Sequence, residues 1–190
     1  QRDKLINIVT HDVERIERLI TDYSQMLKDE AAITSEQMNK VNLKLIARSV
    51  VDDFNSIYNS KRGISINLKT NGSEEYIVLG IENRIEQIIA NLLENSISFS
   101  NDNQEIKVEL TKNENEQIYL NVIDQGEGFK EKDTTKIFNR FYSNRPGKFG
   151  EHSGLGLNIV KNLVDLHNAQ IFAKNNKDKG ANIEIIFPSA

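Results

Sequence analysis

The chain has 190 residues, of which 38% are hydrophobic and 27% are charged, and its formal net charge is −4. This composition suits a folded globular protein, and because no run of Lys and Arg is dense, it argues against a nucleic-acid-binding protein. The chain has no cysteine, which excludes thiol catalysis, a cysteine-based zinc site and disulfide bonds. No apolar run reaches membrane-spanning length. Because the chain begins with Gln1, we expect it to be part of a longer protein.

Residues 1–30 follow a heptad pattern that predicts a coiled-coil helix. A stripe this narrow needs partner helices, most simply a preceding helix of the same protein and the second copy in a homodimer. The alternative is a helix that lies on its own domain. The apolar residues of the pattern are Ile6, Val9, Val13, Ile16, Ile20, Tyr23 and Leu27.

A polar stretch separates this helix from the rest of the chain. We interpret residues 31–41 as a linker and residues 42–190 as a second domain. Asn42 is placed to cap a helix over residues 43–59. The predicted buried side of that helix consists of Leu45, Ile46, Val50 and either Phe54 or Ile57.

The central helix is predicted over residues 82–99, after strands at residues 64–68 and 76–79. Apolar residues at three- and four-residue spacing form its core-facing stripe: Ile85, Ile88, Ile89 and Leu92. Two amides, Asn91 and Asn95, lie one turn apart and project from the same side of the helix. A buried helix tolerates amides only where they are hydrogen-bonded, either within the protein or to a ligand.

The remainder of the chain alternates strands with loops and helices. Residues 105–110 and 117–123 predict a β-hairpin, and residues 135–142 predict a short helix. A glycine-containing loop covers residues 143–151, and a second amphipathic helix opens near residue 152. Its predicted inward residues are Leu157, Val160, Leu163 and Val164, and residues 171–173 and 183–187 predict closing strands.

Three polar elements occur in the sequence, and unrelated short motifs seldom appear together in this order by chance. They are the Asn91/Asn95 pair, the loop Asp124-Gln-Gly126-Glu-Gly128, and Ser153-Gly-Leu-Gly156 at a helix start. Each alone is weak, because the first could be an internally satisfied pair and the others an ordinary turn and helix entry. Together they predict one binding site.

This set resembles the ATP-binding domain of sensor histidine kinases, within the family that also includes Hsp90, DNA gyrase and MutL. The resemblance covers residues 42–188 and is strongest to the ChvG/ExoS type of envelope sensor kinase. Its four motifs are the N box (91–100), the G1 box (124–129), the F box (137–142) and the G2 box (153–157). The resemblance implies an α+β fold of the Bergerat type, an α/β sandwich with a mixed sheet and helices on one face, preceded by one helix of a dimerisation hairpin.

The resemblance implies ATP and Mg²⁺ as ligands and assigns roles to individual residues. Asn95 is expected to bind Mg²⁺, which prefers oxygen ligands. Asp124 is expected to accept a hydrogen bond from the adenine amino group, and Arg140 to contact the γ-phosphate. Asn91, Asn95 and Arg140 are the expected catalytic groups. The remaining expected nucleotide contacts are Ser98, Phe99, Gly126, Gly128, Phe129, Phe138, Lys148, Ser153, Gly154, Leu155, Gly156 and Leu157.

Two positions depart from the pattern of these kinases. Many of them carry a basic residue three positions after the magnesium-binding amide, where this chain has Ser98. More of the phosphate charge would then be neutralised by Mg²⁺ and Arg140. Phe129 ends the G1 box where a small aliphatic residue is common. The larger side chain would reshape the contact with the lid, the loop over residues 143–151.

The identity of Asn91 bears on the reaction. Hydrolases of the wider family carry a Glu one turn before the magnesium-binding amide, where it activates water, and that position is Asn91 here. An amide cannot take a proton as a carboxylate does, which favours phosphoryl transfer to a protein histidine over ATP hydrolysis. The alternatives are an ATP-hydrolysing member of the family and a nucleotide-binding pseudokinase.

His11-Asp12 mimics the dipeptide that carries the acceptor histidine in these kinases. However, no proline follows it, Ile16 stands where the motif expects one, and the interval to Asn95 is short. We therefore interpret residues 1–30 as the second helix of the hairpin, with the acceptor on a preceding helix. The implied parent is a homodimeric inner-membrane protein whose cytoplasmic part phosphorylates a response regulator.

Overall fold

The computed structural model describes residues 36–71, 75–131, 133–142 and 154–190, together with eleven positions between residues 6 and 27. All eleven positions are helical. They include the seven apolar residues of the heptad pattern, and each of these has between 38% and 61% of its surface exposed. In the chain by itself, the heptad stripe therefore faces solvent.

Strand β1 (Asn39–Asn42) leads directly into helix α1 (Leu43–Arg62). The strand lies where the sequence predicts a linker. As predicted, Asn42 caps the helix, because its side-chain oxygen accepts a hydrogen bond of 3.0 Å from the backbone N–H of Lys44.

The buried face of α1 differs from the prediction at Leu45 and Ile57, which are 62% and 45% exposed. Phe54 packs partly buried against the core, and Ile46 and Val50 are buried as predicted. The observed stripe recurs at three- and four-residue intervals, and Leu45 lies outside it. Its members are Leu43, Ile46, Ala47, Val50 and Val51.

The described residues contain six further strands: β2 (Ser65–Thr70), β3 (Ile77–Gly80), β4 (Glu105–Lys112), β5 (Ile118–Ile123), β6 (Gln170–Asn175) and β7 (Ala181–Phe187). Five of them form one sheet in the order β2-β4-β5-β7-β6. The β2–β4 pair is parallel and the other three pairs are antiparallel, so the sheet is mixed. β1 and β3 form a separate antiparallel ribbon.

Helices α1, α2 (Glu82–Phe99) and α3 (Gly156–Leu166) pack against one face of the five-stranded sheet. Alternate strand residues such as Val108, Leu120 and Ile185 are fully buried under them, whereas their neighbours are partly exposed. The predicted stripe of α2 is confirmed, because Ile85, Ile88, Ile89 and Leu92 are all inaccessible. The predicted α+β fold is confirmed.

The C-terminal end of α2 is fixed by Arg62, from the last turn of α1. Its guanidinium donates to the backbone carbonyls of Ile97 at 2.9 Å and Ser100 at 2.7 Å, and also to Asp102 at 2.7 Å. The last carbonyls of a helix lack intrahelical partners and carry partial negative charge, so a cation there is stabilising. α2 therefore ends at a defined position relative to α1.

The N-terminal end of α2 is fixed by a partly buried ion pair. Arg84 is only 7% exposed and donates to both carboxylate oxygens of Glu36, each at 2.9 Å. A third hydrogen bond runs from Arg84 to the side chain of Gln87 at 3.2 Å. Paired planar bonds of this kind are the strongest geometry for arginine and carboxylate. The chain is thus attached to the second domain from Glu36 onwards, before β1 begins.

A buried histidine, His167, joins the end of α3 to the start of α2. Its Nε2 atom accepts from the backbone N–H of Ile81 at 3.1 Å, and its Nδ1 atom lies 2.7 Å from the carbonyl oxygen of Leu163. Both contacts are satisfied only by the neutral tautomer with the proton on Nδ1. Burial lowers the pKa of His167, although the Leu163 carbonyl partly opposes this.

Acidification from pH 7.5 to 5.5 is expected to destabilise the wild-type protein by up to about 1 kcal/mol more than His167→Gln. The depressed pKa means that the folded state binds the proton less readily than the unfolded state. The contribution of neutral His167 to the free energy of unfolding is therefore fully present above about pH 6.5. It declines as the pH falls below that value. Urea unfolding of both proteins across this range measures the difference, and equal pH dependence would contradict it.

Candidate nucleotide-binding site

Asn91 and Asn95 are both half-buried on α2, as the prediction requires. The side-chain nitrogen of Asn91 is buried and has no hydrogen-bond partner among the described residues. A buried donor without an acceptor is unfavourable, so this atom fits a site that gains an acceptor on ligand binding. Ser98 donates from its hydroxyl to the backbone carbonyl of Asn95 at 2.7 Å, and Phe99 is 40% exposed at the end of the helix.

Asp124 directly follows β5 and is 5% exposed. Its Oδ1 atom accepts hydrogen bonds from the backbone N–H groups of Gly126 at 2.9 Å and Ala181 at 3.1 Å. In the described part of the chain, no hydrogen bond to Oδ2 is found. Burial raises the pKa of Asp124, and the two backbone hydrogen bonds partly counteract this. The carboxylate is thus held by one oxygen while the other can accept from a ligand.

The Asp124 loop meets the end of α2 at Gly126. A Cβ atom at this position would lie 2.7 Å from the backbone oxygen of Phe99, which is too close for any side chain. Glycine therefore lets the two segments touch. Gly128 and Phe129 follow, and Phe129 packs partly buried against the core.

The F-box region differs from the predicted helix over residues 135–142. It forms a 3₁₀ helix over Thr134–Phe138, which buries Ile137 and Phe138. Arg140 and Phe141 follow in an exposed turn. The difference arises because the chain leaves helical geometry at Asn139, and Phe141 has a φ of 61°, which a helix does not allow. Phe141 lies beside Tyr23 of the N-terminal helix, with ring centroids 6.4 Å apart.

Gly154, two residues before α3, packs against the backbone of the F-box turn. Its φ is 69°, and a Cβ atom there would lie 2.9 Å from the backbone oxygen of Tyr142. Leu155 is buried and precedes the first residue of α3, Gly156, which has open space around it. The first N–H groups of a helix lack internal partners and favour anions. Leu157 is partly buried against the core, and Val160, Leu163 and Val164 are buried as predicted.

α2 and α3 pack side by side, so the two amides and the Gly156 helix start belong to adjacent elements. Asn158 of α3 donates to the backbone oxygen of Phe138 at 2.9 Å and so joins the F box to the same helix. Lys148 and Ser153 lie outside the described residues, as does His11. A separate cavity of about 300 Å³ lies between α1 and β2 and includes none of the predicted site residues.

Sequence reasoning missed the residues that hold the Asp124 loop from the β6–β7 turn. Asn175, Asn176, Gly180 and Ala181 all contact the loop or stand against its backbone. The sequence indicates a turn here, because asparagines and glycine lie between two strands. It does not indicate what the turn touches, since that contact spans about fifty residues.

Two comparisons of the sequence with known proteins identify the same family. Residues 80–190 match the model of the histidine kinase-, DNA gyrase B- and HSP90-like ATPase family. The chain is 32% identical over 201 residues to sensor protein ChvG of Agrobacterium fabrum and 35% identical over 189 residues to that of Rhizobium meliloti. These matches cover 100% and 96% of the chain but 34% and 33% of the relatives, so the chain spans about a third of their length.

Two solved structures of histidine kinase ThkA show the same fold. The catalytic domain in a nucleotide-free form is 24% identical with a TM-score of 0.70, covering 81% of this chain and 97% of that one. The complex of ThkA with response regulator TrrA is 23% identical with a TM-score of 0.72, covering 100% and 52%. The likeness to ThkA concerns the fold, and the family match rests on the sequence. The chain belongs to the histidine kinase-, DNA gyrase B- and HSP90-like ATPase family.

Proposed function

We propose that this chain is the catalytic part of a two-component sensor histidine kinase. It binds Mg·ATP and transfers the γ-phosphate to a histidine on a dimerisation hairpin, from which the phosphate passes to an aspartate of a response regulator. The observation that carries the proposal is the Asp124 carboxylate, which is buried and held through Oδ1 with Oδ2 left to accept.

The geometry at Asp124 supports adenine recognition. A buried carboxylate oxygen that accepts a hydrogen bond selects a base with an amino group, because a base with a carbonyl there would place two acceptors together. Gly126 has no side chain, and its backbone lies directly against that of Phe99 at the end of α2. Phe99, Phe129 and Phe138 complete the expected apolar surroundings of the nucleotide.

The phosphate end of the nucleotide would lie between α2 and the start of α3. The described residues contain no cluster of three or more His, Asp or Glu that could hold a metal by itself. Asn95 would therefore supply one oxygen to Mg²⁺, with phosphate oxygens and water as its other ligands. Bound Mg²⁺ would neutralise phosphate charge. Backbone N–H groups at Gly154–Gly156 would donate to phosphate oxygens, with Arg140, Lys148 and Ser153 as further contacts.

Asn91 supports transfer to a protein over hydrolysis. It is half-buried on the face shared with Asn95, and its amide cannot accept the proton of an attacking water as a carboxylate would. Its buried nitrogen has no partner among the described residues, so it is placed to donate to an acceptor that arrives with the nucleotide.

The exposed heptad stripe supports a homodimer. Seven apolar residues on one helix are uncovered in the single chain, and a stripe of this kind is stable only against other helices. Among the helices of the described residues, none is both long enough and apolar enough to cross a membrane. An inner-membrane location of the whole protein is thus part of the proposal and rests on the relationship to the ChvG sensor proteins.

Incubation with γ-labelled ATP distinguishes the candidate reactions. We expect acid-labile, base-stable label on a longer polypeptide that also carries the preceding helix of the hairpin, because phosphohistidine is acid-labile. The described chain by itself is expected to bind ATP and remain unlabelled. Rapid release of free phosphate without protein label would instead indicate an ATPase.

Two further outcomes have defined meanings in this assay. ATP binding without label on either polypeptide and without phosphate release would indicate a pseudokinase. Label on the chain itself that is lost in His11→Gln would identify His11 as the acceptor and contradict our placement of that residue.

A further inference from the structure

The turn between β6 and β7 packs against the loop that carries Asp124. Asn175, the last residue of β6, makes two hydrogen bonds to the backbone of Phe129. Its Oδ1 atom accepts from the Phe129 N–H at 2.6 Å, and its Nδ2 atom donates to the Phe129 carbonyl at 2.9 Å. One side chain thus pairs with a backbone residue as a neighbouring strand would.

The next residues of the turn hold the other end of the same loop. Asn176 donates to the backbone oxygen of Asp124 at 3.3 Å. Gly180 has a φ of 93°, and a Cβ atom there would lie 1.9 Å from that same oxygen. The backbone N–H of Asp124 donates to Ala181 at 3.0 Å, so the start of the loop is fixed by main-chain contacts.

The far end of the loop is held by the hydrogen bonds of Asn175 and by the packing of Phe129 against the core. Among the described residues, the hydrogen bonds that join residues 127–130 to the rest of the chain are both made by Asn175. The other polar contact there is an exposed ion pair within the segment, between Glu127 and Lys130 at 3.7 Å. Such pairs contribute little. Gly128 has a φ of 78°, and a Cβ atom there would lie 2.7 Å from Oδ1 of Asn175, so glycine permits the close approach of Asn175.

We propose that Asn175 is a positioning residue for adenine recognition, which rests on the proposed ATP binding. It fixes Phe129 and thereby the course of residues 126–129 beside the Asp124 carboxylate. Its side-chain hydrogen bonds are to the Phe129 backbone, so it acts through that residue. Loss of its two hydrogen bonds leaves the segment mobile, so ATP binding must order it again, and that ordering lowers the affinity.

Asn175→Ala is expected to raise the Kd for ATP about tenfold, as the loss of two such hydrogen bonds implies. Purine riboside triphosphate, which lacks the 6-amino group, is the probe for the mechanism. Its Kd is expected to change less than that of ATP, because it cannot use the Asp124 hydrogen bond that correct positioning supports. Amide hydrogen exchange is expected to accelerate at residues 126–130.

The β4–β5 turn provides a matched control. Asn113 there accepts from the N–H groups of Asn115 and Gln117 at 3.0 and 2.9 Å, at the opposite end of β5 from Asp124. Asn113→Ala is expected to loosen that turn and leave the Kd for ATP unchanged. Asn175→Asp keeps the shape and the acceptor but cannot donate to Phe129. It replaces the alanine variant if that variant is unfolded, and it is expected to weaken ATP binding as well.

The outcomes separate this inference from the proposed function. No ATP binding by the wild-type protein would overturn the proposed function itself. Wild-type binding that is unchanged in the Asn175 variants would overturn only the positioning role. Equal weakening of both nucleotides, or exchange that accelerates throughout the domain, would show a general structural role and would also overturn it.

Discussion

Asp124→Asn is expected to lower the affinity for ATP about a hundredfold while the protein remains folded. The amide oxygen can still accept from Gly126 and Ala181, so the loop keeps its backbone contacts. The amide nitrogen then replaces Oδ2 and presents a donor to the amino group of adenine. Isothermal titration calorimetry measures the affinity, and thermal unfolding confirms the fold.

The pH dependence of ATP binding provides the internal control for this variant. Because burial raises the pKa of Asp124, its carboxylate takes up a proton at a higher pH than an ordinary aspartate. Two N–H groups occupy Oδ1, so the proton is expected on Oδ2, where it would face the base. The affinity of the wild-type protein for ATP should decrease as the pH is lowered. The dependence of affinity on pH should be weaker in Asp124→Asn. An unchanged affinity of Asp124→Asn for ATP would show that Asp124 does not contact the nucleotide.

Glu36→Ala is expected to reduce the free energy of unfolding by about 3 kcal/mol, the lower end of the range for a broken buried ion pair. The variant removes the Glu36 carboxylate from the buried guanidinium of Arg84, although the hydrogen bond to Gln87 remains. Urea denaturation monitored by circular dichroism measures the change.

Asp165→Ala is the matched control for the ion pair. It breaks the contact of Asp165 with Lys161 on α3, where both side chains are substantially exposed. Exposed pairs of this type contribute up to about 1 kcal/mol. Similar losses in the two variants would show that the Glu36–Arg84 pair does not attach the chain to α2.

The central helix and its amides follow from sequence because their information is local. Ile85, Ile88 and Leu92 recur with the period of one helix face, and an aspartate with two glycines after a strand indicates a loop there. The strand β1 could not be predicted in this way, because Asn39–Asn42 is polar and pairs with β3 far along the chain. Arg84 shows the same limitation, since its burial depends on Glu36.

The candidate site likewise contains residues that local sequence predicts and residues whose contacts are between distant segments. The identities of Asn95 and Asp124 can be selected from short motifs, but the support of the Asp124 loop by Asn175 is a contact between distant segments. The F box shows a third case. Its aromatic residues predict a helix, yet the turn at Phe141 takes a positive φ where the chain packs against Gly154.

The attachment of the chain at Glu36 sets the length of a tether. Only the residues between Leu27 and Glu36 separate the heptad helix from the ATP-binding domain, and they can span at most about 30 Å. A connection of that length keeps the second domain within reach of the heptad helix, and the contact between Tyr23 and Phe141 lies inside that reach. In the proposed kinase, the same limit would confine phosphoryl transfer to histidines of the same dimer.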